Sequence, residues 1–142
     1  MSQKLIEDYV KAIYQICVDA ETARANTGAL ARRIGVSDGT ASTMIRTLAD
    51  AGLVVFTSYE GARLTETGRL LAMRVMRRNR LIVSLFSKVL DMDSHEMHEE
   101  AELLEHAVSE KLADRIDSFL GQPTEDPPGG EPIPRRDGSL PQ

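Results

Sequence analysis

Residues 27–65 read TGALARRIGVSDGTASTMIRTLADAGLVVFTSYEGARLT, and the fold is decided in this stretch. Thr27 is placed to cap a short helix that turns Leu30 and Ile34 inward, and Gly35 stops it. Ser37 or Asp38 caps a second helix running to about Ala51, where Gly52 ends it. Ala41, Ile45 and Leu48 recur at helical spacing and make its apolar stripe. Two short helices separated by Gly35-Val36-Ser37 form a helix-turn-helix pattern, in which the glycine permits the tight turn. Leu53 to Thr57 and Ala62 to Thr65 then predict two short strands joined through Ser58-Tyr59-Glu60-Gly61. A hairpin directly after a helix-turn-helix is the winged-helix order.

Outward from this stretch the periodicity stays helical. Leu5, Tyr9, Ile13 and Ile16 predict a first amphipathic helix over residues 4–18. Thr65 caps a long helix from about Glu66 to Leu90, whose stripe Leu71, Val75, Ile82, Phe86 and Val89 is interrupted by Asn79. Asp93 or Ser94 begins a helix to about Val108, and Ser109 begins a last one to Leu120, ended by Gly121. All six prolines lie beyond Gln122, and that Pro/Gly-rich end predicts an extended or mobile tail. The expected fold is mostly α with a small β wing: a winged helix-turn-helix over 1–72, a helical region over 73–121, and a tail over 122–142.

The net charge of −5 is unevenly spread. Residues 1–90 carry 13 Lys/Arg against 8 Asp/Glu, and residues 91–142 carry 4 against 14. That asymmetry suggests a front facing a polyanion and a back facing something cationic. Cys17 is the only cysteine, and the N-terminal residues lack the basic start and apolar run of a signal peptide, so a soluble cytoplasmic protein is expected.

The second helix of the pair would enter a major groove. Its outward residues are Ser37, Asp38, Gly39, Thr40, Ser42, Thr43 and Arg46. Hydroxyls bond phosphates or base edges, glycine admits close backbone approach, and arginine reaches phosphate or guanine. Arg69, Arg74, Arg77, Arg78 and Arg80 add basic charge nearby, whereas Asp38 and Glu60 oppose a phosphate backbone. Asp38 has an explanation as a helix cap; Glu60 has none in the sequence.

From His95 the chain reads HEMHEEAELLEH. On a helix, Glu102, Glu105 and His106 share one face, with His98 and Glu99 one turn earlier. Carboxylates with one imidazole suit manganese or iron, and the absence of thiolate argues against a closed structural zinc site. A solvated acidic helix face fits the same spacing equally well. No nucleophile, base and orienting group converge, which argues against an enzyme. The apolar faces of residues 81–90 and 103–120 exceed what one thin helical layer can cover, which predicts a homodimer.

The chain resembles the diphtheria-toxin-repressor and manganese-transport-regulator family of metal-dependent repressors over roughly residues 5–120. The resemblance is carried by Glu7 to Tyr14 (EDYVKAIY), the helix-turn-helix, Val75 to Leu81 (VMRRNRL) and Glu102 to His106 (ELLEH), and extends to Gly130 to Pro134 (GEPIP). It implies a repressor that binds a double-stranded operator as a homodimer built on the C-terminal helices. It also implies a divalent ion, manganese favoured and iron possible, that links the DNA-binding and dimerisation halves. By position, Asp8, Glu102, Glu105 and His106 match family ligands, and His98 matches a second-site ligand of the iron-responsive branch. The chain departs from the pattern at Asn79, where the family places a histidine, at Lys11, where the manganese branch places a carboxylate, and at Val83. Asn79 lies on the apolar stripe, so its amide needs a partner, and its oxygen is a candidate ligand for a single ion. An unresponsive family member and a winged-helix protein-interaction module stay open at this point.

Overall fold

The computed structural model describes residues 2–127 and 129–141. The chain divides into two compact units, residues 1–72 and 73–142. In the first unit α1 (Gln3–Asp19), α2 (Thr27–Ile34) and α3 (Asp38–Asp50) precede an antiparallel hairpin of β1 (Val54–Thr57) and β2 (Gly61–Leu64). The long α4 (Glu66–Val89) runs through the division, and α5 (Ser94–Leu104) and α6 (Glu110–Phe119) follow.

The first unit is organised by its caps. Asn26, rather than Thr27, caps α2 by accepting from Ala29 N at 2.7 Å, because the cap residue must sit in extended backbone just before the helix. Gly35 closes α2 at φ 87°, a left-handed conformation that an L side chain resists. Ser37 caps α3 and accepts from Thr40 N at 3.1 Å. Tyr9, Val10 and Ile13 of α1 pack with Leu30, Ile45, Leu48, Val54 and Ala62 in one apolar core. Each valine, leucine or isoleucine among them, fully buried, is worth about 1.5–3 kcal/mol.

The hairpin pairs Val54 with Leu64 and Thr57 with Gly61. Ala25 adds a further rung, exchanging both backbone hydrogen bonds with Ala62 at 2.9 and 2.8 Å. Gly61 is required there: a Cβ on it would meet Ala25 O at 2.2 Å. Thr65 joins the hairpin to α4, its hydroxyl donating to Gly52 O at 2.7 Å and accepting from Gly68 N at 3.1 Å.

The second unit has its own core of Leu81, Ile82, Val83, Ala101, Val108, Ala113, Ile116 and Ile133. Ile133 lies in the Pro/Gly-rich end, so the expectation of an extended or mobile tail is corrected. The segment folds back on itself: Ile133 N donates to Thr124 O at 2.8 Å, Asp126 N to Glu131 O at 3.0 Å, and Arg135 Nη2 to Pro123 O at 2.8 Å. Prolines limit regular structure, yet one isoleucine inserted into a core and a few backbone bonds suffice to order a loop.

A second correction concerns α5, which stops at Leu104 instead of Val108. Ala107 N turns back to Leu104 O at 2.9 Å, a tighter bond that ends the helical register. Glu105 and His106 therefore sit at the helix end and in the following turn. Asp93 opens α5 with a capping box in which its carboxylate accepts from Glu96 N at 2.9 Å; that bond holds its carboxyl below the usual range.

Candidate metal centre and nucleic-acid interface

The second unit brings Asn79, Glu105 and His106 together. Glu105 is 2% exposed, and burying a carboxylate is unfavourable unless donors or a cation meet it. Asn79, one helical turn from the buried Val75 and Val83, donates from Nδ2 to Glu105 Oε2 at 2.8 Å. His106 Nε2 lies 3.3 Å from the other oxygen, Oε1. An oxygen and an imidazole nitrogen this close could both turn toward one divalent cation. Glu105 Oε1 and His106 Nε2 thus fit a shared cation, and their oxygen and imidazole chemistry suits manganese or iron.

Other expected ligands stand differently. Glu102 and His98 are exposed on α5, so the single helical face expected for Glu102, Glu105 and His106 is divided by the helix end. Asp8, on α1 of the first unit, accepts from Lys4 Nζ at 2.9 Å.

On α3 the groove-facing residues divide by role. Ser37 spends its oxygen on the cap and donates its hydroxyl to Thr40 Oγ1 at 3.0 Å. Thr43 is exposed and donates its hydroxyl back to Gly39 O at 3.0 Å. Gly39 is exposed, and a Cβ built on it would meet nothing closer than Ser37 Oγ at 3.9 Å. Arg46 is exposed, and Ser42 is half-buried.

The basic run after the hairpin does not serve as sequence reading suggested. Residues 1–72 hold eight Lys/Arg and eight Asp/Glu, so the whole basic surplus of the front lies between Arg74 and Lys88. Most of it is spent. Arg69, just before that run, pairs with Glu66 at 2.8 Å, which raises the guanidinium and lowers the carboxyl. Arg77, 3% exposed, meets Asp114 at 3.2 Å, Asp117 at 3.3 Å and Glu110 at 3.8 Å. Arg78 lies 3.7 Å from Glu110, and Arg80 donates to Pro132 O. Sequence spacing alone hid the Arg77 network, because Asp114 and Asp117 lie 37 and 40 residues further on.

Residues 1–62 match the family described as "Iron dependent repressor, N-terminal DNA binding domain", and residues 65–135 match "Iron dependent repressor, metal binding and dimerisation domain". The chain belongs to the iron dependent repressor family. Among curated relatives, it is 32% identical over 131 residues to the diphtheria toxin repressor of Corynebacterium diphtheriae, covering 92% of this chain and 57% of that one. It is also 32% identical over 120 residues to the transcriptional regulator MntR of Salmonella typhimurium, covering 84% of this chain and 74% of that protein. A solved manganese-dependent transcriptional repressor in complex with manganese superposes with a TM-score of 0.84 at 43% identity, over 96% of this chain and 62% of the other. The chain thus spans little more than half the length of the diphtheria toxin repressor. Among the described residues, no helix is long and apolar enough to cross a membrane.

Proposed function

We propose that this family member is a metal-responsive transcriptional repressor that binds a double-stranded operator as a homodimer in the cytoplasm. The observation that carries the reading is the ligand spacing of Glu105 Oε1 and His106 Nε2, 3.3 Å apart on a buried carboxylate. The cation favoured is manganese, with iron the alternative, since the donor set is oxygen and imidazole without thiolate. Asp8, Glu102 and His98 belong to the proposed ligand set on sequence resemblance alone.

DNA reading is assigned to α3, with Arg46, Thr40, Thr43, Ser42 and Gly39 toward base edges or phosphates and Ser37 holding the helix start. The dimer surface is assigned to exposed apolar residues of the second unit: Leu103, Leu104, Leu112 and Phe119. A cytoplasmic location is supported by the single cysteine, Cys17.

Selection from random duplexes, followed by retention assays with manganese, iron or chelator, tests the reading. The expected result is a selected palindromic site bound in manganese and released by chelator. Equal retention in chelator would sink metal control and leave a constitutive DNA binder; no selected site would sink DNA reading.

A further inference from the structure

Tyr59 stands at the turn of the wing with its side chain fully exposed and its backbone at φ 66°, the left-handed region that a bulky L residue resists. The turn around it is built from within. Glu60 N donates to Thr57 O at 3.1 Å, Arg24 reaches both Thr57 and Glu60, and Gly61 is fixed against Ala25. Glu60 is thus drawn to Arg24 while the ring of Tyr59 meets only solvent. Val55 and Phe56 on β1 are exposed as well, so the end of the hairpin is largely apolar and aromatic. An exposed ring on a strained backbone contributes nothing to its own chain, and such features gather where a partner is bound.

Resting on the DNA-binding reading above, we propose that Tyr59 is a contact to the sugar-phosphate backbone of the operator, its ring packing on deoxyribose and its phenol donating to a phosphate oxygen. The occupant is DNA because the hairpin continues the surface assigned to α3. Three residues separate α3 from β1, Leu53 N donates to Leu48 O at 3.0 Å, and Val54 shares a core with Ile45 and Leu48, so helix and hairpin are packed as one unit. Tyr59 also lies inside residues 1–62, the part that matches the DNA binding domain of the family. The charge balance favours a neutral contact. Residues 1–72 carry as many Asp/Glu as Lys/Arg, so ionic attraction from this unit is weak and positioning falls to uncharged donors. Such a contact fixes the protein on the duplex and reads no base.

Nitration of the full chain with tetranitromethane, read by peptide mass spectrometry, tests the contact. Of the three tyrosines Tyr9 is buried and Tyr14 half-buried, so Tyr59 should react first. Its nitration should fall when manganese and saturating operator are present, and should not fall when the protein is concentrated without DNA. Tyr59→Phe should lower affinity about tenfold for operator and random duplex alike, the share of one hydrogen bond to a charged oxygen, with the salt slope unchanged because no charge is lost. Tyr59→Gly relieves the left-handed backbone, so it should be at least as heat-stable as the wild type while binding no better than Tyr59→Phe. A Tyr59 that stays reactive on bound operator overturns the proposal. So does protection that comes with protein concentration alone, which would make a second chain the occupant, and so does unchanged affinity in both variants. A wild type that retains no duplex in any condition defeats the DNA-binding reading and the contact with it, whereas bound operator with a reactive Tyr59 defeats the contact alone.

Discussion

Arg24 Nε lies 3.5 Å from Glu60 Oε2, so the acid at the turn of the wing is held by a guanidinium from the loop before α2. Arg24 also donates to Thr57 Oγ1 at 3.1 Å, which ties it to the end of β1. The acidic wing that looked unfavourable for a DNA binder is thus partly neutralised within its own unit. Both groups remain partly exposed, so the pair is worth little to stability.

A functional consequence follows for salt dependence. Glu60→Gln releases Arg24 and removes one negative charge from the wing. Operator affinity at low salt should rise, and the slope of log affinity against log salt should steepen by up to about one phosphate contact. Fluorescence anisotropy across a salt series measures it; an unaltered slope would place the wing away from the backbone.

Gly39 is the sharpest probe of α3. The helix has room for a Cβ there, so Gly39→Ala should stabilise the first unit by roughly 0.5–1 kcal/mol while weakening operator binding, since the added methyl would project into the space proposed for DNA. Arg46→Ala, at an exposed position, should cost about 1–3 kcal/mol of operator affinity if it reads a base, with thermal stability unchanged. Unfolding curves and operator titrations together decide both; unchanged affinity in the two variants would remove α3 from the interface.

Arg77 is central to the second unit. Arg77→Met should destabilise the protein by about 3–5 kcal/mol, because Asp114, Asp117 and Glu110 lose a buried counter-charge. Adding Asp114→Asn and Asp117→Asn should recover part of that loss, since the acids then no longer need a cation. Urea unfolding of the single and triple variants tests this. A single variant as stable as wild type would show that the network contributes nothing net.

Leu112 and Phe119 of α6 are 49% and 60% exposed within one chain. Leu112→Asp with Phe119→Asp should therefore leave helical content intact and convert a dimer to a monomer in sedimentation velocity. A wild-type monomer at micromolar concentration would count against the dimer surface itself.

Asn79→His should tighten manganese binding, as an imidazole is a stronger ligand than a neutral amide. Adding Lys11→Glu should create a second site, read as two ions per chain in calorimetry. Two tight ions in the wild type would contradict the single-ion reading.

Most helix starts and stops, the hairpin and the helix-turn-helix were legible in local chemistry; the cap of α2 and the end of α5 were not. Ser37, Gly35, Gly52 and Thr65 act on neighbours within a few residues, and the stripe of Ala41, Ile45 and Leu48 repeats with the helix itself. Glu105 and His106 were also legible, as adjacent residues in an acidic segment. The sequence by itself therefore determined the order of elements, the inward faces and the residue types available to a cation. Tertiary structure alone decided which charges are spent. Arg77 looks like a DNA contact until α6 brings three carboxylates to it. Glu60 looks unpaired until Arg24 reaches it from 36 positions earlier. The amide of Asn79 has no visible partner in the sequence until Glu105, 26 positions later, accepts from its nitrogen. The physical reason is common to all of them: periodicity and capping are short-range constraints written in consecutive residues, whereas the partner of a buried charge or amide is fixed by chain segments that meet only after folding.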